Sequence, residues 1–231
     1  MNLFKLIIAS LLFLGACKSE PVINDQNLNP SDTGLLFLAL GDSYTIGQNV
    51  TVDQRWPVLL VKDLKKNGTA VHSPEIIATT GWTTANLLNA LNANPPAKKY
   101  DLVSLMIGVN NQYQGLSTEQ YQKEFSELLK KSITYAGGNP GKVFVLSIPD
   151  WSVTPTAAPS NRQKIAEEID RFNNVARKEC ASQKVYFIDI TPISRQALND
   201  PTMIANDNLH FSGKMHQLWV NKVSPIVKPM L

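Results

Sequence analysis

Five short apolar runs punctuate the chain, at residues 35–40, 75–78, 102–107, 142–148 and 185–190. Runs of this length, with little polar alternation, predict strands buried on both faces of a parallel sheet. Between them the apolar positions recur at helical spacing, predicting helices over 56–66, 83–91, 118–135 and 160–180, with a last one from 212 to about 227. Ser117 or Thr118, and Ser160, stand where helix N-caps belong. The stripe Ile165, Ile169, Phe172 and Val175 then reads as core. Strand and helix alternate from end to end, which predicts a three-layer α/β domain: a doubly wound parallel sheet of about five strands, crossed right-handedly, with helices on both faces. In such folds the functional groups gather beyond the carboxyl ends of the strands.

The first residues follow a different pattern. Met1 to Cys17 reads MNLFKLIIASLLFLGAC: one lysine, an apolar run, then small residues. That is the pattern of a secretory signal, too short for a spanning helix. Leu14-Gly15-Ala16-Cys17 resembles the lipobox of bacterial lipoproteins, which implies cleavage before Cys17 and its lipidation. Residues 1–16 are thus expected to be a signal peptide, 17–34 a lipidated polar tether too poor in apolar side chains to fold, and 35–231 the folded domain. Acyl chains contribute about 0.8 kcal/mol per buried methylene, so such an anchor would hold the domain at a bilayer. Lys18 after the cysteine favours an exported, outer-membrane or periplasm-facing lipoprotein.

Composition narrows the function classes. With Cys17 lipidated, only Cys180 remains, so the fold is expected to rest on its core without a disulfide, and Cys180 reads as a small buried apolar residue. The formal charge is +3, from 22 basic and 19 acidic residues, and the basic residues are interspersed with acids, which argues against a nucleic-acid partner. His72 and His216 have no Cys, Asp or Glu at ligand spacing, so no metal is expected. Glycine-rich phosphate loops are missing, and no cofactor is implied.

The candidate chemistry lies at the predicted strand ends. Gly41-Asp42-Ser43-Tyr44-Thr45 follows the first run and puts Ser43 at a strand-to-helix junction, where a hydroxyl nucleophile and a free backbone N–H coincide. Thr79-Thr80-Gly81-Trp82 ends the second run and Ile107-Gly108-Val109-Asn110-Asn111 the third. Gly81 offers an unshielded N–H and Asn110 a side-chain amide, so Ser43, Gly81 and Asn110 together suit the oxyanion of an ester's tetrahedral intermediate. Asn206-Asp207-Asn208-Leu209-His210 stands before the final helix. A carboxylate three residues from an imidazole can fix its tautomer, leaving the other ring nitrogen to take a proton from Ser43. Asp150, after the fourth run, is a weaker rival for the carboxylate role because it lacks a histidine nearby. Tyr44, Trp82, Tyr113, Trp151 and Phe211 are the candidates for lining a substrate pocket, although aromatic residues at strand ends also serve as packing.

These four blocks, GDSYT, TTGWTT, IGVNNQY and DNLH, in this order and spacing, resemble the SGNH/GDSL hydrolases. The resemblance implies their flavodoxin-like fold and a serine esterase mechanism. It further implies Ser43 as nucleophile and first oxyanion donor, Gly81 and Asn110 as the other two donors, Asp207 as triad acid and His210 as base. Tyr44 replaces a usual Leu and Asn111 a frequent Asp, departures that bear on substrate preference. The elbow Gly-x-Ser-x-Gly is absent, since Thr45 takes its last position, which disfavours the larger α/β-hydrolase fold. The substrate is expected to be a small-molecule, glycan or lipid ester, with small acyl or acetyl esters preferred. The alternatives are a lysophospholipase or thioesterase, an acyltransferase, and a non-catalytic glycan- or lipid-binding lipoprotein.

Overall fold

All five apolar runs form strands in the computed structural model, which describes residues 34–158 and 160–231. They are β1 (Phe37–Gly41), β2 (Glu75–Ala78), β3 (Leu102–Met106), β4 (Val143–Leu146) and β5 (Tyr186–Ile188). The helices are α1 (Ser43–Ile46), α2 (Trp56–Lys66), α3 (Thr84–Ala93), α4 (Val109–Tyr113), α5 (Thr118–Tyr135), α6 (Arg162–Ser182), α7 (Thr191–Ser194) and α8 (Gly213–Val227). The strands lie in the order β2-β1-β3-β4-β5 and every pair is parallel. This is the flavodoxin-like doubly wound order, in which the chain changes direction across the sheet between β1 and β3. A crevice opens at that switch point, and the chain leaves β1 at Gly41, the first residue of the GDSYT block, and β3 at Met106, immediately before the IGVNNQY block.

Burial follows from position in the sheet. The central strands β1, β3 and β4 are buried along their whole length, whereas the edge strands β2 and β5 each begin with an exposed residue. On one face α2 packs against α8; on the other α5 packs against α3 and α6. Leu38, Leu40, Leu102, Leu105 and Phe144 fill the space between the layers with essentially no exposure. Truncating any of these leucines to Ala would cost about 2–5 kcal/mol.

Local chemistry fixes where the helices begin. Thr83 and Asn86 form a reciprocal capping box on α3, and Ser117 accepts from the Gln120 N–H at 3.1 Å at the start of α5. Asn161, one residue beyond the expected Ser160, caps α6 by accepting from the Lys164 N–H at 3.0 Å. Cys180 is fully buried against the sheet, where burial pushes its thiol up to about 12. It is an unreactive packing residue. No helix among the described residues is long and apolar enough to cross a membrane. The expected signal peptide and the lipidation site at Cys17 lie outside the described residues.

Candidate active site

The first component is set by the close approach of a helix to a strand end. Asp42 caps α1 by accepting from the Tyr44 N–H at 3.0 Å, making Ser43 the first residue of that helix. For α1 to start so close to β1, residue 41 cannot carry a side chain: a Cβ there would lie 2.2 Å from Thr45 Oγ1 and 2.5 Å from the Met106 carbonyl. Asp42 is 1 % exposed, and burial raises its carboxyl to about 7 despite the bond from the Tyr44 N–H. Ser43 itself is buried at the base of the crevice.

The second component comes from the loops after β2 and β3. Residues 79–82 form a tight turn closed by the Trp82 N–H donating to the Thr79 carbonyl at 3.2 Å, with Gly81 at φ +83°. A turn of this kind needs positive φ at its third residue, which favours glycine, and a Cβ at Gly81 would meet nothing within 4 Å. The glycine therefore serves backbone conformation in an open cleft and not close packing. Among the described residues neither the Ser43 nor the Gly81 N–H has an acceptor. Asn110 donates from Nδ2 to the Trp82 carbonyl at 2.9 Å. That bond uses one amide hydrogen, orients the group against the Gly81 turn and leaves the other hydrogen available.

The third component is the loop ahead of α8. An antiparallel bridge between Ile204 and Phe211 pinches it at its base, and the Ala205 N–H donates to the His210 carbonyl at 2.8 Å. Within it His210 Nδ1 lies 2.5 Å from Asp207 Oδ2. Asp207 Oδ1 accepts from the backbone N–H groups of Leu209 (3.1 Å) and His210 (2.9 Å), while Oδ2 also accepts from Asn49 Nδ2. Partial burial works against the Asp207 charge, yet the bonds from the His210 side chain and from the two backbone N–H groups hold its carboxyl below the usual carboxylate range. An ionised acid bonded to Nδ1 leaves the His210 Nε2 lone pair free to accept a proton.

These segments are α1 (43–46), the turn 79–82, α4 (109–113) and the loop 205–210, and residues 39–218 match the GDSL-like Lipase/Acylhydrolase family. The chain belongs to this family. It is a hydrolase acting on ester bonds. No curated relative matches the sequence. Among solved structures the chain is similar to TesA, with 23% identity and a TM-score of 0.67 over 85% of this chain and 99% of that one. It is similar also to the psychrotrophic esterase EstA from Pseudoalteromonas sp., at 16% identity and a TM-score of 0.66 over 84% and 97% of the two chains. A third similar structure is Axe2, an acetylxylan esterase from Geobacillus stearothermophilus, at 17% identity and a TM-score of 0.63 over 84% and 94%.

Several GDSL-family positions depart from the sequence expectation. No hydrogen bond joins Ser43 Oγ to His210 among the described residues; the two segments meet instead through Tyr44, whose ring stands edge-on to His210 at a centroid distance of 5.6 Å. Tyr44 and Phe211 do not line a pocket. Both are buried, packed on each other at 5.7 Å and on Trp219 from α8: one step along α1 turns Tyr44 about 100° away from Ser43, and Phe211, bridged to Ile204 in extended backbone, points to the side opposite its neighbour His210. Trp151 is also nearly buried, donating from Nε1 to Gln112 Oε1 at 2.8 Å. Tyr113 is 62% exposed and rests edge-on against Trp151 at 5.4 Å, and Trp82 is half-buried. Only these last two can present aromatic surface to a ligand.

Two further residues have structural partners of their own. Asn111 is fully buried and turned towards α3: its Oδ1 accepts from the Thr84 N–H at 3.0 Å and its Nδ2 donates to Thr84 Oγ1 at 2.6 Å. It does not face the crevice, so its departure from the family pattern concerns packing and not substrate. Asp150, the rival carboxylate, is committed to Arg195 Nε at 2.8 Å and to the Ser152 N–H at 2.9 Å. A cavity of about 500 Å³ lies beside the Asp207 loop, lined by Asn49, Gln54, Thr202, Ile204 and Asn206 among others. None of Ser43, Gly81, Asn110 and His210 lines it. Sequence reading missed Asn49 and Gln48, since an Asn after Gly-Gln carries only a turn signal.

Proposed function

We propose that this hydrolase is a serine esterase in which Ser43 Oγ attacks the ester carbonyl while His210 Nε2 takes its proton. Asp207 holds the imidazole and stabilises its cation. The developing oxyanion is met by the Ser43 and Gly81 N–H groups and the free hydrogen of Asn110 Nδ2. His210 then returns the proton to the departing alcohol, and a water activated by the same imidazole releases the acyl group from Ser43. The observation that carries this reading is the His210 Nδ1 to Asp207 Oδ2 approach of 2.5 Å on a loop whose base packs, through Phe211, on the residue after Ser43. Catalytic hydrogen bonds are often long without substrate and tighten when it binds, so Ser43 and His210 need only close onto one another around the ester.

For the substrate we propose small acyl or acetyl esters, including those of carbohydrates. The exposed ring of Tyr113 beside Trp151, three residues from Asn110, offers a flat surface of the kind that sugar rings stack on, and the similar Axe2 is an acetylxylan esterase. The MNLFKLIIASLLFLGAC segment supports a lipid anchor on Cys17 that keeps the enzyme at an exported membrane surface. Metabolic palmitate labelling of the chain that disappears in Cys17→Ala is the expected result; equal labelling of both would exclude that anchor.

Hydrolysis of p-nitrophenyl acetate, butyrate and octanoate by the chain and by Ser43→Ala, with folding checked by circular dichroism, tests the catalytic reading. The expected outcome is activity that falls with acyl length and is lost in the variant. A folded Ser43→Ala enzyme that still turns over would exclude Ser43 as nucleophile. Preference for octanoate would move the substrate to the long-chain acylhydrolase alternative.

A further inference from the structure

The segment that carries Ser43 turns back on itself at once. α1 ends after a single turn at Gly47 (φ 70°), and the Gln48 N–H donates to the Ser43 carbonyl at 2.9 Å. Asn49 follows, also at positive φ (61°). A non-glycine residue there is uncommon and costs about 1 kcal/mol, with Asn among the most tolerant. From this reversal two consecutive side chains reach in different directions. Gln48 Oε1 accepts from Thr80 Oγ1 at 2.7 Å, in the turn that contains Gly81. Asn49 Nδ2 donates to Asp207 Oδ2, the oxygen that also faces His210 Nδ1.

The bonds accepted by Asp207 divide unequally. Three come from its own loop, from His210 Nδ1 and from the backbone N–H groups of Leu209 and His210. Among the described residues Asn49 supplies the one that reaches the carboxylate from another part of the chain, 158 positions away in sequence. Thr156 holds the same loop through its N–H and hydroxyl on the Asn208 carbonyl, and Tyr44 stands against the His210 ring, but without Asn49 the carboxylate itself keeps only the bonds of its own loop. With it, the acid is tied to the same short reversal that fixes Ser43, and the Gly81 turn is tied to the adjacent residue.

We propose that Asn49 is a positioning residue for the reaction. Its amide sets the distance and angle of the Asp207–His210 unit relative to Ser43, and Gln48 does the corresponding work for the oxyanion loop through Thr80. Asn49 touches neither substrate nor reacting atoms. Its effect therefore belongs to the alignment of the proton transfer and not to ester binding. The inference rests on the serine esterase reading above.

Asn49→Gly is the informative variant, because glycine adopts φ 61° without strain and only the amide is removed. With p-nitrophenyl acetate we expect kcat to fall roughly 10- to 100-fold while KM stays within about threefold. The circular dichroism spectrum and melting temperature should match the parent. Asn49→Asp, of equal size but with a carboxylate facing Asp207, should fall further. Ser43→Ala is assayed alongside. An unchanged kcat in Asn49→Gly when Ser43→Ala is inactive would overturn the role of Asn49 alone. A fall in kcat that tracks a lowered melting temperature would overturn it too, as would a loss confined to KM. Retained activity in Ser43→Ala would overturn the esterase reading together with this inference.

Discussion

The ring of Tyr44 supports the imidazole of His210 edge-on at 5.6 Å, although 166 positions of chain separate them. Tyr44 is placed by α1, which also places Ser43; His210 is placed by the pinched loop before α8. Aromatic contact of this geometry contributes about 0.5–1.5 kcal/mol beyond area burial, and it fixes which way the imidazole plane faces. The ring, not the hydroxyl, makes that contact.

Tyr44→Phe should therefore keep most of the esterase activity, whereas Tyr44→Ala should lose both activity and about 3–5 kcal/mol of stability through the cavity left under His210. Denaturant melts and turnover of the two variants provide the check. An active, fully stable Tyr44→Ala enzyme would show that the imidazole needs no such support.

Asn110 and Asn111 are neighbours in sequence with different surroundings. Asn110 sits at the rim of the crevice with one amide hydrogen bonded to the Trp82 carbonyl; Asn111 is buried and satisfies the Thr84 N–H. Asn110→Ala is expected to lower kcat by roughly 10²- to 10³-fold with little change in stability. Asn111→Ala strands a buried donor, so it should cost about 1–3 kcal/mol while kcat per folded molecule stays close to that of the parent. Exchange of the two phenotypes, read by turnover and urea melts on the same preparations, would refute both assignments.

Gly81 supplies the third test. Its φ of +83° with open space around the missing Cβ means that Gly81→Ala meets no clash and pays only the backbone cost, about 1–2 kcal/mol. The turn will relax towards negative φ and carry its N–H away from the crevice. Turnover should then fall while the melting temperature moves by a few degrees at most. Wild-type turnover in the Ala variant would rule out the Gly81 N–H as an oxyanion donor.

How much of this was legible in the sequence depended on how local the signal was. Helices α2 and α5 and strand β2 fall on the predicted bounds because their apolar periodicity or run is long enough to read. Helices α1, α4 and α7 span four or five residues, less than two turns, too short for a 3.6-residue period to appear. Ser43, Gly81, Asn110, Asp207 and His210 could be singled out because each lies in a contiguous block at a strand end or before the last helix. Gln48 and Asn49 could not, since each acquires meaning only from a partner brought to it by the fold. Tyr44 and Phe211 misled because adjacency to a candidate residue in sequence was read as adjacency in the crevice, whereas both turn into the core.

Two buried titratable groups oppose one another in their effect on stability with pH. Asp42 titrates at about 7 in the fold, raised by burial, against 3.8 for the free carboxyl, so folding takes up a proton between these values. The stability it contributes is full below 3.8 and is lost as pH rises through 7. His216 is 1 % exposed, its Nδ1 accepts from the Trp56 N–H at 3.2 Å, and its ring stacks on Trp219 at 4.7 Å. Burial lowers it to about 3 from 6.5, so folding expels a proton, and its contribution is full above 6.5 and lost as pH falls through 3. Between pH 4 and 6.5 the two slopes have opposite sign, each at most about 1.4 kcal/mol per pH unit. Asp42→Asn keeps an oxygen to cap the Tyr44 N–H while removing one slope. Its unfolding free energy from urea melts should therefore climb more steeply with pH than the parent's across that window. His216→Gln should tilt the other way, losing stability relative to its own value at pH 4 as the pH rises. Parallel curves for parent and both variants would mean that neither group changes its protonation on folding.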